Sequence, residues 1–231
     1  MTMTFPEFSA GLTMPGDANV QAAHALPPRK GIYRHVLKRV LDVSIIVLAA
    51  PVIVPVVAAL AVAVARDGGK PFYSQMRVGR GGKRFRMWKL RSMVSDADER
   101  MEDYLAAHPE ARVEWDTTQK LKHDPRITAV GKILRQTSLD ELPQLWNVLM
   151  GEMSLVGPRP IMLSQQAIYP GVSYYLLRPG CTGFWQTAGR NRTTFEARAE
   201  YDTVYEEALS FKTDAKILFD TIGVMVRGTG Y

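Results

Sequence analysis

The chain has 231 residues, of which 46% are hydrophobic and 23% charged, with a formal net charge of +6. This is enough for one domain with a real core plus a tail or membrane segment, and it argues against two independent domains or wholesale disorder. The positive balance favours anionic partners such as phosphates, nucleic acid or acidic headgroups, while the single cysteine, Cys181, excludes an intramolecular disulfide and has no Cys/His cluster of zinc spacing beside it.

Residues 1–28 carry four prolines, two glycines and no usable period, so 1–30 is expected to be a loose N-terminal tail. Residues 31–66 follow as a basic lead-in and an apolar helix. From Val43 to Ala65 there is no charged residue, and those residues would make a helix of about 34 Å, long enough to cross a bilayer. Lys and Arg mark the cytoplasmic side, yet here they mark both ends: Arg29, Lys30, Arg34, Lys38 and Arg39 before, Arg66, Lys70, Arg77 and Arg80 after. Pro51 and Pro55 supply a place to bend. A helix that enters and leaves by one face therefore competes with a single span and with a buried soluble helix.

Residues 67–231 form the remaining domain. Phe72 to Gln75 and Lys83 to Lys89 are short strand candidates, joined through Gly79, Gly81 and Gly82 as a hairpin. Helical patterns follow at Asp96 to Ala107, Ile127 to Arg135, Leu139 to Met150, Phe195 to Leu209 and Asp214 to Val226. The class is mainly α with minor β.

Chemistry has several candidate seats. Between Gly68 and Ser95 lie eight Lys/Arg residues and no acid, a field suited to anionic headgroups or to phosphates. The interleaved aromatics would also suit a nucleic-acid surface, but no motif supports one. Further on, Asp140 and Glu141 fall in the first turn of the helix predicted from Leu139. Ser138 and Glu141 have capping-box spacing, whereas Pro143 argues for Asp140 as the cap. In either register the helix dipole lowers the carboxylates' pKa, so the pair reads as a cap or as an anionic centre. Chemistry on a phosphate would need a divalent cation and basic groups. Arg159 is held between Pro158 and Pro160, which suits bidentate phosphate recognition. Arg178 and Arg190 flank the Gly-rich run from Gly180 to Gly189 on loops that read either as plain turns or as site carriers. Asp96 and Asp98 match the Asp-x-Asp metal signature, but they sit where helix N-terminal charge bias also puts acids.

Taken together, the basic-flanked segment with Pro51, FRMWKLRSM at 85–93, SLDELPQLWN at 138–147, GEMSLVGPRP at 151–160, the run from Arg178 to Gln186 and Gly189-Arg190-Asn191 resemble the bacterial sugar transferase family of monotopic polyprenyl-phosphate phosphoglycosyl transferases. The resemblance implies an N-terminal re-entrant membrane helix bent near Pro51, then a cytoplasmic α/β catalytic domain at the inner membrane. The family breaks this helix at a Ser-Pro pair, where this sequence has Ala50-Pro51. It also implies a two-step displacement. Asp140 attacks the β-phosphate of a UDP-sugar, UMP leaves, and undecaprenyl phosphate takes the hexose phosphate.

Carried over residue by residue, Asp140 is the nucleophile and Glu141 its catalytic partner, and the two hold Mg2+. Lys89, Arg91, Arg159, Arg178 and Arg190 bind phosphates or nucleotide. Without a multispan region before Tyr33, the chain is expected to be a short, ExoY-like member that initiates exopolysaccharide synthesis from UDP-galactose or UDP-glucose. Membrane lipid is an expected partner and nucleic acid is not. Two other readings are a metal-dependent glycosyltransferase using Asp96 and Asp98, which would release UDP, and a basic membrane-anchored adaptor with no turnover.

Overall fold

The computed structural model describes residues 15–27, 29–66, 68–118, 121, 123–189 and 193–226. The chain is mainly helical, with two small two-stranded sheets. Helix α1 (Pro15–Ala25) falls within the stretch expected to be a loose tail, yet it is docked. Ala23 is buried beside Val78 and Tyr174, and the Asn19 side chain donates to the Tyr169 carbonyl at 2.9 Å. Its apolar residues are too few to announce a helix and suffice only because a tyrosine cluster receives them.

A π-helical turn, Tyr33–Leu37, leads without a break into α2 (Lys38–Ala65). The helical assignment of α2 runs through both Pro51 and Pro55. It is long and apolar enough to cross a membrane, and it associates the chain with one. Both ends are tied to the domain. Asp42 accepts from the Ser154 hydroxyl at 2.6 Å and the Leu155 N–H at 3.2 Å, Arg39 donates to the Leu149 carbonyl at 2.8 Å, and Val64 packs with Leu90 and Leu134.

Strands β1 (Phe72–Val78) and β2 (Arg84–Leu90) form the expected antiparallel hairpin, in register from Phe72 opposite Leu90 to Val78 opposite Arg84. Gly81 and Gly82 take φ of 65° and 77° in the connection, a region open to residues without a Cβ. On β2 the alternating side chains of Phe85 and Met87 are buried, which puts Lys89 on the same inward face.

Helices α3 (Ala97–Ala107) and α4 (Pro109–Thr118) form a small satellite around Met101 and Leu105, and α5 (Ala129–Thr137) is capped by the Thr128 side chain. The single helix expected over 139–150 is in fact a 3-10 turn, Leu139–Glu141, followed by the short α6 (Gln144–Met150). The reason is local. Ser138 closes α5 in the left-handed region at φ 57°, and Pro143 has no N–H to continue the turn.

Strand β3 (Ser154–Val156) pairs in parallel with β4 (Gly180–Thr182). The glycines here serve close packing. A Cβ on Gly157 would lie 2.3 Å from the Arg178 carbonyl oxygen, and one on Gly180 would lie 2.1 Å from the Gly157 nitrogen. Short helices α7 (Ser173–Leu176) and α8 (Phe184–Ala188) precede α9 (Arg198–Glu207) and α10 (Phe211–Val226). The main core joins Ile46, Met87, Val148, Met153, Tyr205 and Ile217, so membrane helix, hairpin and C-terminal helices share one interior.

Candidate active site

Asp140 sits at the centre of the 3-10 turn and is only 7% exposed. The turn exists because Ser138, the one described non-glycine residue with positive φ, reverses the chain directly before it. Strain of this kind persists only where the surroundings fix it. The expected capping box is absent, since Ser138 makes no cap hydrogen bond, and the dipole-lowered pKa expected for Asp140 is reversed. Burial pushes its carboxyl above the ordinary range, Lys89 pulls it back, and Glu141 adds to the rise. With α6 so short and starting after Pro143, desolvation outweighs any dipole.

The hairpin brings Lys89 to this turn. Its Nζ lies 2.7 Å from Glu141 Oε1 and 3.5 Å from Asp140 Oδ2. Asn147, fully buried on α6, fixes the approach. It accepts from the Trp88 N–H at 3.0 Å and donates to the Arg86 carbonyl at 2.7 Å and to Glu152 at 2.6 Å. Removing that amide would loosen strand from helix, and with them lysine from carboxylates.

A pocket beside the pair is lined by Arg77, Met87, Lys89, Glu141, Gln144 and Arg159, among others. It adjoins a cleft of about 1400 Å3 that also reaches Arg135, Trp185, Gln186 and Arg198. Arg159 is exposed at this cleft, as its place between two prolines suggested. Cys181 also lines it, but burial pushes its thiol pKa up, so it carries no thiolate nucleophile.

Two predicted phosphate ligands lie elsewhere. Arg91 donates to the Lys70 carbonyl at 2.9 Å, the Val64 carbonyl at 3.2 Å and the Ser95 hydroxyl at 3.3 Å, so it braces the end of α2. Arg178 donates to the Gly151 carbonyl at 2.9 Å, just past the end of α6. Arg190 lies outside the described residues. Asp96 makes a surface pair with Arg100 at 3.5 Å, and the Asp98 side chain is outside the described set.

Sequence reasoning counted Arg77 only within a basic run and gave no role to Arg198. Arg77 donates to Gln75 at 2.7 Å and keeps its Nε buried without a partner. Arg198 stands 4.1 Å over the Trp185 ring and 5.0 Å from Phe195, a clamped guanidinium facing the cleft. Burial, then Arg159, lowers the pKa of both. An anion in the cleft would relieve that like-charge crowding.

Comparison with known proteins gives the same direction. The family described as bacterial sugar transferase matches residues 33–228. The UDP-galactose-lipid carrier transferase of Erwinia amylovora is 47% identical over 196 residues, 84% of this chain and 41% of that protein. The undecaprenyl-phosphate galactose phosphotransferase of Salmonella typhimurium is 46% identical over 196 residues, again 84% and 41%. The exopolysaccharide production protein ExoY of Sinorhizobium fredii is 39% identical over 213 residues, 91% of this chain and 92% of that protein. The chain therefore spans about two fifths of the first two relatives and nearly all of the third.

Proposed function

This chain belongs to the bacterial sugar transferase family, and from that premise we propose that it transfers hexose-1-phosphate from UDP-galactose or UDP-glucose to undecaprenyl phosphate, initiating exopolysaccharide synthesis. The observation that carries this reading is a buried carboxylate, Asp140, that shares Lys89 with Glu141, which lines a pocket together with Lys89, Arg77 and Arg159. The adjoining cleft of about 1400 Å3, lined by Arg77, Arg135, Arg159 and Arg198, has room for a nucleoside diphosphate among cations.

The Asp140 carboxylate attacks the β-phosphorus, the bond from that phosphorus to the UMP oxygen breaks, and UMP leaves with the electron pair. An oxygen of undecaprenyl phosphate then attacks the same phosphorus. The bond to Asp140 breaks, yielding the lipid-diphosphate sugar and the free carboxylate. Burial makes Asp140 more basic, while Lys89 favours its ionised form. Arg77 and Arg159 bind and orient the phosphates.

Two adjacent carboxylates suit magnesium, which is held by one or two such groups together with water and substrate phosphates. Among the described residues no group of three His, Cys, Asp or Glu forms a protein cage. Asp140 and Glu141 would hold the ion, which when bound neutralises phosphate charge.

Placement on the cytoplasmic face of the inner membrane is supported by basic residues at both ends of α2. A re-entrant path is supported by packing. Ile46 joins the cluster of Met87, and Val64 that of Leu90. Between them Leu48 is 81% exposed and Val52 69%, as expected of a helix arching into lipid about Pro51 and Pro55. Labelling of a cysteine placed at residue 10 should report the cytoplasmic side; an extracytoplasmic signal rules the hairpin out.

The deciding assay supplies the full chain in nanodiscs with UDP-galactose or UDP-glucose, magnesium and undecaprenyl phosphate, and identifies the nucleotide released. UMP is expected. UDP would replace this mechanism with ordinary glycosyl transfer.

A further inference from the structure

Four buried side-chain atoms without a hydrogen-bond partner among the described residues belong to the walls of the cleft: Arg77 Nε, Arg198 Nε and both amide atoms of Gln186. The two guanidinium nitrogens are donors, and an anionic oxygen satisfies each. The Gln186 amide differs, since its donor and its acceptor both lack a partner. Its neighbours on α8 are engaged elsewhere. Trp185 Nε1 donates to the Thr193 hydroxyl at 2.7 Å, and the Thr187 hydroxyl donates to the Gly183 and Phe184 carbonyls, each at 3.2 Å. A buried amide left unpaired costs the fold stability, and an apolar side chain of similar length would fill the space without that cost. The amide therefore points to a ligand that offers it one acceptor and one donor. Phosphate has acceptors only and would leave Oε1 open. Gln186 lines the wider cleft but not the small pocket beside Lys89 and Glu141, which leaves it for the parts of a nucleotide sugar beyond the diphosphate.

We propose that Gln186 reads the uracil ring of the donor, its Nε2–H donating to the O4 carbonyl and its Oε1 accepting from N3–H. The inference rests on the UDP-sugar reading above and adds the contact that selects the base. An imide edge presents a donor and an acceptor at adjacent positions in one plane, so two parallel bonds complete the amide at once. A sugar hydroxyl donates and accepts at a single swivelling oxygen, and a second hydroxyl is needed to match the amide as well. Both amide atoms are covered, with Oε1 against Gly183, where a Cβ would come within 2.8 Å of it. No hydrogen bond holds the amide in that seat, so a turn about its side-chain torsions brings it to the cleft surface without breaking one.

UMP and 3-methyl-UMP differ only at N3, where the methyl group removes the donor, so they serve as probes. Their binding to the full chain in nanodiscs with magnesium is compared for the unaltered protein and Gln186→Met. The unaltered protein should bind 3-methyl-UMP about tenfold more weakly than UMP. In Gln186→Met the UMP affinity should fall by about the same factor, the two nucleotides should bind alike, and the thermal midpoint should stay level or rise. A methyl penalty that persists in full in the variant overturns the proposal, because the base edge is then read elsewhere. So does UMP affinity that holds in the variant while UDP-galactose affinity falls, which would make Gln186 a reader of the sugar. A lowered midpoint with both nucleotides weakened alike would make it a packing residue and also overturns the proposal. If the unaltered chain binds no uridine nucleotide, the donor reading fails and this inference with it. If it binds UMP and 3-methyl-UMP equally, the donor reading stands and this inference alone falls.

Discussion

Two clusters of buried carboxylates face different tasks in this molecule. At the root of the membrane helix, Asp214 accepts from the Tyr33 and Tyr205 hydroxyls, each at 2.6 Å, and pairs with Lys38 at 2.6 Å. Glu206 pairs with Arg34 at 2.7 Å and Arg29 at 3.0 Å. In the cleft, Lys89 is shared by Asp140 and Glu141 and lies 3.5 Å from the former, while the Arg77 Nε is buried without a partner. The close pairs at the root hold the lead-in of α2 to the domain, whereas a buried donor left unpaired in the cleft costs stability until a ligand enters. How closely Asp214 and Asp140 are paired with their lysines, more than burial, separates anchor from site.

The sharpest way to break this contrast is Asp140→Asn. Turnover should fall at least about ten-thousand-fold, with the thermal midpoint level or higher, because burial already opposes the charge. Retained nucleotide release would remove Asp140 from the mechanism. Next, Asp214→Ala leaves Lys38 without its counter-charge and should cost about 3–5 kcal/mol in denaturant unfolding. A loss below about 1 kcal/mol would show that the anchor network is not structural.

Asp202 lies between the extremes, buried with one donor, Tyr169, and with Arg198 nearby. Burial raises its pKa to about 7, against the pull of Tyr169 and then Arg198. Because the folded value exceeds the ordinary one, its contribution is complete below about pH 4 and is lost as pH rises through about 7, at up to about 1.4 kcal/mol per pH unit. Thermal midpoints at pH 5 and 8 should therefore converge in Asp202→Asn. Smallest of all, Lys216→Met breaks the exposed pair with Asp220, 2.6 Å apart, and should change stability by at most about 0.5 kcal/mol.

Local signals in the sequence were reliable where the cause is local. The charge-free stretch after Val43, the hairpin glycines and the adjacency of Asp140 and Glu141 are all properties of a few neighbouring residues. The split of the helix at 139–150 was half legible, since Pro143 was visible but the left-handed Ser138 was not. The resemblance supplied roles for Lys89 and Arg159, and the structure brings both to the pocket.

By itself, then, the sequence determined a mainly helical chain with a basic-flanked apolar helix, a hairpin and an acidic pair, because periodicity, charge and turn chemistry act over one or two turns. Only the tertiary structure decided which arginines face the cleft. Arg77 reaches it because β1 pairs with β2, Arg198 because Trp185 and Phe195 clamp it, and Arg91 is diverted by the Val64 carbonyl. Those outcomes rest on contacts between residues far apart in sequence, where every long basic side chain looks alike until its neighbours are in place.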